Sequence, residues 1–364
     1  MDFDWILWNF ICISDSHWNP RLRIPQSRTE TYHEDCLKEW NAFTKLVWKE
    51  KKVSGVIHAG DWFHLKNQSL YPPGDILYYR DWVLGLQCPV FTVPGNHDLP
   101  QSSYDNVQKT AYQTLVHATP NMHDFSFQTE QVNSLMFGEV NEGSYPQLYI
   151  SGIPYLPLDK LAPACRELDA RLADLPGIHI VILHPDAIPG NEALPFFQTC
   201  SWSDLLRALP HATVLILGHI HNSFPILQTT EFSASGSPQF VCKPWSFGRV
   251  VKDYHQGTTV LEHQHKISYT QIQIGVKEGQ GGNGKIVIHC EYHEIPQISF
   301  EKAFSRETLR REVEKAEKVS SFISSLKDQG TIEDAFSIEN PKDYLDRMTV
   351  SQEVREIINY YLNS

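Results

Sequence analysis

No apolar run in the 364-residue sequence approaches the roughly 20 residues needed to cross a bilayer as a helix, so a membrane-spanning helix is excluded. Positive charge is also in deficit. Thirty-one Lys and Arg against 43 Asp and Glu leave a formal charge of −12, which rules out a protein that coats nucleic acid through a bulk positive field. A local phosphate site whose positive charge comes from metal ions remains open. The opening residues, Met1-Asp2-Phe3-Asp4, contain no basic segment, so a secretory signal peptide is not expected. Cysteines are few and never paired as Cys-x-x-Cys: Cys12, Cys36, Cys88, Cys165, Cys200, Cys242 and Cys290. An odd, scattered set argues against a disulfide framework and for reduced thiols in the cytoplasm. A composition of 41% hydrophobic and 20% charged residues excludes a disordered or collagen-like chain. Seventeen histidines and nine tryptophans are what the chain has in excess.

Apolar runs at Trp8 to Ile13, Val53 to Ala59, Val90 to Val93, Leu148 to Ile153, Ile178 to Leu183 and Val214 to Leu217 read as buried strands. Between them, Cys36, Trp40, Phe43 and Val47 repeat at helical spacing, and Asp75 to Leu86 reads as a second helix. This alternation predicts an α/β fold with a sheet covered on both faces. After about residue 222 strand-like runs continue, at Gln239 to Cys242 and Thr258 to Glu262. Gly279 to Gly284 then reads as a turn or linker. Beyond it come a strand, Ile286 to Cys290, and three helical patterns. One carries Leu309, Val313, Ala316, Val319, Phe322, Ile323 and Leu326; a second starts at Asn340-Pro341; the last opens on a Thr349-x-x-Gln352 capping box. Two domains are expected, residues 1–275 and a smaller α+β region, residues 276–364.

Five of the six strands in the first part of the chain stop at residues able to bind a metal: Asp15 and His17, then Asp61, then Asn96, His97 and Asp98, then His184, then His219 and His221. In open α/β sheets, ligands bind beyond the carboxyl ends of the strands. Two divalent ions need a bridging carboxylate and neutral nitrogen and oxygen donors to complete each shell. Asp61 is the natural bridge. Asp15, His17 and His221 would complete one shell, and Asn96, His184 and His219 the other. A donor set of this mixed kind suits Mn²⁺, Fe²⁺ or Zn²⁺ better than Ca²⁺ or Mg²⁺. The remaining histidines, among them His33, His58, His117, His123, His179 and His211, fit no such order and are read as structural or solvent-facing.

The ordered set Asp-x-His, Gly-Asp, Gly-Asn-His-Asp, His, Gly-His-x-His resembles the calcineurin-like metallophosphoesterases over roughly residues 8 to 240. The resemblance implies a metallophosphoesterase β-sandwich flanked by helices and a phosphoesterase that uses two metal ions, most often Mn²⁺. Asp61-Trp62-Phe63-His64, with Ser235-Gly236-Ser237-Pro238 and Phe247-Gly248, is similar to the DNA-repair nuclease branch that includes SbcD and its phage counterparts. Asp343-Tyr344-Leu345-Asp346-Arg347 looks similar to the phage members. Trp18-Asn19-Pro20 after the first motif and Asn222-Ser223 after the last depart from the family pattern, which leaves endonuclease against exonuclease preference open.

By that resemblance, metal-activated water attacks phosphorus in line, His97 protonates the departing oxygen with Asp98 as its orienting carboxylate, and His64 positions the scissile phosphate. DNA and an SbcC-like ATPase subunit become the expected partners and a homodimer a further one. The host-cell cytoplasm would be the location if the protein is phage-encoded. Arg21, Arg23 and Arg28 form either a contact for backbone phosphates or an ordinary solvated loop, and Trp18 and Trp62 are the tryptophans worth considering as stacking platforms. Val350, Val354, Ile357, Ile358, Tyr361 and Leu362 present an apolar helix face for docking on their own domain or on the ATPase. Rival readings are a phosphodiesterase or phosphatase acting on nucleotides or phosphoproteins, and a non-catalytic scaffold of the same fold.

Overall fold

A computed structural model describes residues 5–24, 28–50, 53–132, 146–190, 199–221, 224–244, 246–248, 254–255, 258–259, 267–278 and 284–303. In chain order these form β1 (Trp5–Ile13), α1 (Tyr32–Lys49), β2 (Gly55–His58), α2 (Pro73–Leu84), β3 (Val90–Thr92), α3 (Ala111–Ala118), β4 (Met122–Asp124), β5 (Thr129–Val132) and β6 (Gln147–Ile153). There follow α4 (Leu158–Ala173), β7 (Gly177–Leu183), β8 (Ala187–Ile188), β9 (Cys200–Ser201), α5 (Trp202–Ala208), β10 (Val214–Leu217), β11 (Phe224–Thr229) and β12 (Gln239–Lys243). The last are β13 (Tyr254–His255), β14 (Thr258–Thr259), β15 (Ser268–Glu278), β16 (Gly284–Glu294) and α6 (Phe300–Ala303).

Two six-stranded sheets face each other, ordered β16-β15-β1-β2-β3-β4 and β11-β12-β10-β7-β6-β5. The central pairs β1–β2, β2–β3, β6–β7 and β7–β10 are parallel, while β15 and β16 add to β1 as an antiparallel hairpin. The period-2 alternation of a strand explains the layering. Phe10 and Cys12 turn into the apolar layer between the sheets, together with Ile57, Ile182, Ile216 and Phe240. Ile11 and Ile13 turn outward, against Trp40, Phe43 and Val47 of α1 and Tyr79 and Val83 of α2. On the far face, Leu161, Cys165 and Leu168 of α4 and Leu205 of α5 cover Val181 and Leu215. The result is a helix–sheet–sheet–helix sandwich, in which each large side chain fully withdrawn from water contributes roughly 1.5–3 kcal/mol.

Helix α2 begins two residues before the expected Asp75. Pro73 occupies its first turn, where a missing N–H costs nothing and the fixed φ suits a helix. The boundary expected at residue 276 falls inside β15. Residues 268–278 and 284–294 pair with each other and extend the first sheet, and the compact unit runs to Leu309. A second unit, Arg310–Ser364, lies outside the described residues. The helical patterns expected at 309–326 and after Asn340 lie there too. So do the Asp343–Arg347 likeness, most of the glycine-rich turn, Asn222-Ser223, and the expected strand past Thr259. Among the described residues no disulfide joins the seven cysteines, and no helix is long and apolar enough to cross a membrane.

Candidate metal centre

The loops that leave the parallel strands run on side by side. Asp15 N donates to Gly60 O (2.9 Å), His17 N to Asp61 O (3.0 Å) and Trp18 N to Trp62 O (2.7 Å), so the first two motifs are zipped together past the ends of β1 and β2. His219 N then donates to Asp15 Oδ1 (2.8 Å), and His97 N to Asp61 Oδ1 (2.8 Å). Segment 246–248 is belted onto the same place. Phe247 N donates to Ser14 O (2.8 Å) and Gly248 N to Asp15 O (2.7 Å).

This convergence forces unusual backbone. Asp15, His17, Asp61 and His219 all have φ between 47° and 77°, the left-handed region that side chains other than glycine rarely adopt. Such conformations cost of order 1–3 kcal/mol each and persist only where surrounding structure over-determines them. Glycine is required where the loops touch. A Cβ on Gly95 would collide with Asp61 Oδ1 and stand 2.5 Å from Asp61 N, and one on Gly218 would collide with Ala59 O.

Three groups of ligand atoms result, each with all members within 4.8 Å of one another: Asp15, His17 and His221; Asp61, His184 and His219; and His17, His64 and His97. The first brings together Asp15, His17 and His221, and the second places His184 and His219 beside Asp61. Asn96 joins the second through Oδ1, 3.1 Å from His219 Nδ1. Asp15, His17, Asp61, Asn96 and His184 are buried, while His64, His97, His219 and His221 are half-buried at the rim.

The donor atoms fit metal ions, as the protons show. His184 Nδ1 donates to Ala59 O (2.6 Å), so Nε2 is the atom turned to Asp61; it holds a proton while no metal is bound, and loss of that proton frees its lone pair for an ion. That Nε2 stands 3.3 Å from Asp61 Oδ2, an ion pair rather than a well-formed hydrogen bond. His219 Nε2 lies 2.5 Å from Asp186 Oδ1, so its proton belongs there and its Nδ1 lone pair meets Asn96 Oδ1. His17 Nε2 and His221 Nε2 face each other at 2.9 Å. Electron-pair donors meeting head-on need either a shared proton or a cation, and imidazole, carboxylate and carboxamide are the donors that hold divalent transition metals. Asp186 carries out the second part of this design, fixing the tautomer of a ligand from behind. It sits two residues after His184, and that spacing is the signal that sequence reading passes over.

Electrostatics follow the same layout. Burial opposes ionisation of Asp15, yet Lys243, His184 and His221 hold its carboxyl well below the usual range. Burial would lower His184, but the charges of Asp61 and Asp15 outweigh it and push His184 up to about 9. Burial lowers His17 and His97, and burial followed by the neighbouring His97 and His221 lowers His64 to about 4.

Two sequence expectations need correction. Asp98 does not orient the His97 imidazole. Its carboxylate accepts backbone N–H groups of Trp62 (3.1 Å), Phe63 (3.0 Å) and Gly95 (3.0 Å), which pins the loop after β2 to the loop after β3. Burial and the charge of Asp61 push Asp98 up to about 7 against those three donors. The His97 ring is held instead by a short hydrogen bond from Nδ1 to the His64 carbonyl. Trp18 and Trp62 are not stacking platforms: both are core residues, Trp18 on Tyr79 (centroids 4.5 Å) and Trp62 on His58 (3.7 Å). In the arginine loop, Arg21 pairs with Asp75 (2.8 Å), and Arg28 is buried against Ala303 O (3.1 Å) and the Tyr32 ring (4.7 Å). Arg23 is exposed.

A family model described as calcineurin-like phosphoesterase matches residues 9–223, more than half of the chain. No curated protein sequence matches. Among solved structures, the chain is similar to a 5'-nucleotidase precursor from Thermus thermophilus (14% identity, 88% of this chain and 59% of that one, TM-score 0.43). It is also similar to TT1561 of the same organism (10%, 80% and 100%, TM-score 0.45) and to a 5'-nucleotidase from Candida albicans (10%, 90% and 59%, TM-score 0.45). The chain thus spans 59% of the length of either nucleotidase.

Proposed function

Because the chain belongs to the calcineurin-like phosphoesterases, metal-dependent hydrolases of phosphoester bonds, we propose that it is a two-metal phosphodiesterase acting on DNA ends or junctions, with Mn²⁺ as its ion and an SbcC-like ATPase as its partner. Asp15, His17, His221 and the bridging Asp61 would hold one ion, and Asn96, His184, His219 and Asp61 the other. When bound, the pair supplies Lewis acidity toward a phosphoryl oxygen and lowers the pKa of water toward neutrality.

The observation that carries the diester reading is the pair His64 and His97, stacked at 5.6 Å and 19° beside the first shell. Neither belongs to a shell of the pair, and both are neutral near pH 7 because burial lowers them. With Nδ1 held by the His64 carbonyl, His97 keeps Nε2 to carry a proton to the departing oxygen, and the approaching phosphate's charge favours that proton. His64 supplies a neutral imidazole for a non-bridging oxygen. Neutral donors suit the single negative charge of a diester better than the dianion of a monoester, which arginine binds best.

The same facts leave a second reading, a smaller nucleotide diester as substrate. It is favoured by the engagement of Arg21 with Asp75 and of Arg28 with Ala303 O, which ties up two of the three arginines expected to meet a polymer backbone. A digest of end-labelled duplex DNA with and without Mn²⁺, run beside bis(p-nitrophenyl) phosphate and p-nitrophenyl phosphate, separates the two. Cleavage of DNA that is lost in Asp61→Ala supports the nuclease. Hydrolysis of the small diester alone supports the second reading, and preference for the monoester overturns both. The ATPase reading rests on the apolar face Val350, Val354, Ile357 and Tyr361. Truncation after Asn340 should abolish co-purification with that partner while leaving small-diester hydrolysis intact.

A further inference from the structure

Lys243, the last residue of β12, is 1% exposed. Its Nζ donates to Asp15 Oδ2 (3.1 Å), Ser14 Oγ (3.2 Å) and Pro244 O (2.9 Å). The backbone around it is held as well. Lys243 N donates to the Tyr292 hydroxyl (2.9 Å), which donates back to Lys243 O (3.0 Å). A lysine so far from water cannot touch substrate, and a buried ammonium is costly unless a specific partner compensates it.

Its partner is a ligand, and the sense of the contact is unusual. Groups behind metal ligands commonly accept a proton from the ligand and make it a better donor, as Asp186 does for His219. Lys243 does the reverse, placing a positive charge on the oxygen atoms that would face a cation. Asp15 has its other oxygen taken by His219 N–H (2.8 Å), so both are engaged before any ion arrives. In the Asn96–His184–His219 shell, no described lysine or arginine touches a ligand.

We propose that Lys243 is a positioning residue that weakens the Asp15–His17–His221 ion position relative to the Asn96–His184–His219 position, so that the two fill in order. The inference rests on the two-metal reading above. By neutralising Asp15, Lys243 lowers the attraction of that shell for a dication and repels the ion directly. By fixing the carboxylate plane, it keeps the remaining lone pairs aimed. An exchangeable ion in the shell beside His64 and His97 is one that can arrive with substrate.

Calorimetric titration of the metal-free full chain with Mn²⁺ tests this without turnover. The wild type should show two steps separated by at least ~10-fold in affinity, the range in which groups behind ligands act. His221→Ala should delete the weaker step only. Lys243→Met should tighten the weaker step by ~10-fold or more and leave the tighter one in place. Lys243→Gln, which keeps an N–H donor for Asp15 and removes the charge, should act in the same direction, and it decides the matter if the Met variant fails to fold. Loss of affinity in both steps alike, or weakening of the weaker step in the Gln variant, overturns the assignment and leaves the two-metal reading standing. A wild type that binds no Mn²⁺ overturns both.

Discussion

His17 Nε2 and His221 Nε2 stand 2.9 Å apart, one from the loop after β1 and the other from the loop after β10. Two neutral imidazoles in that relationship cannot both present lone pairs without a positive species between them. A carboxylate oxygen, Asp61 Oδ2, lies 3.7 Å from His17 Nε2. Without an ion, one ring turns an N–H toward the other's lone pair; with both lone pairs turned inward, the pair becomes a seat for a cation.

Metal removal should therefore lower stability. With a chelator present, the thermal midpoint is expected to fall, and Mn²⁺ at 100 times its dissociation constant should restore about 2.7 kcal/mol for each site filled. Differential scanning calorimetry with and without Mn²⁺ reads this, and coincident midpoints would contradict it.

In the metal-free protein, acid should destabilise. His64 is lowered to about 4, His58 to about 3 by burial, and His17 and His97 are lowered as well. A histidine whose folded pKa is depressed binds its proton only in the unfolded chain. Stability is thus present above about pH 6.5 and is lost as pH falls toward 4, by about 1.4 kcal/mol per pH unit for each such proton. Asp98, pushed up to about 7, and Asp124, also raised by burial, act in the opposite sense, but they are two groups against six once His33 and His179, lowered by burial too, are included. His184, pushed up to about 9, loses its contribution as pH rises from about 6.5 to 9. Thermal midpoints measured in chelator from pH 4 to 9 should show a maximum near neutrality with the steeper fall on the acid side.

His97→Ala should bind both ions and lose ~10²–10⁴-fold in turnover, the usual worth of a positioned acid. A wild-type rate would assign the proton to another group.

His64→Ala should reduce cleavage of DNA more than hydrolysis of bis(p-nitrophenyl) phosphate, because a positioning group matters most for the larger substrate. Equal losses on the two would remove His64 from that role.

Gly95→Ala inserts a methyl group where Asp61 Oδ1 and N already stand. The displaced carboxylate should lower activity by ~10²-fold, the cost of a misplacement near 1 Å. Full activity would mean that the loop gives way elsewhere.

Much of this centre is legible in the sequence because strand and ligand are joined in the chain. Five of the six buried runs end at a donor, and the alternation of Phe10, Ile11, Cys12 and Ile13 between two apolar layers is a property of the sequence itself. What escapes is whatever depends on packing across the chain. Lys243 closes the run Gln239-Phe-Val-Cys-Lys and looks like a strand end meeting solvent, until Asp15 arrives from 228 residues away. Asp98 follows His97 directly, so adjacency suggests a pair. Its carboxylate instead turns under the loop of Trp62 and Phe63, which no local pattern announces. The expected boundary at residue 276 divides β15 from β16, although β16 pairs along β15 and β15 along β1 in one sheet, a long-range pairing that no local pattern announces.

Asp61 descends from the first sheet and His184 from the second, and they meet at 3.3 Å. The gap between these two atoms is therefore gauged by the thickness of the apolar layer between the sheets, about 10 Å in sandwiches of this kind. Ile57, Ile182 and Ile216 lie in that layer and act as spacers for chemistry they never touch. Trimming one of them to valine costs only about 0.5–1.5 kcal/mol of stability. Its larger effect falls on the calibration of the centre, since a fraction of an ångström taken from the spacer is taken from the ligand distances as well. In this protein the interior of the sandwich is a dimension of the active site.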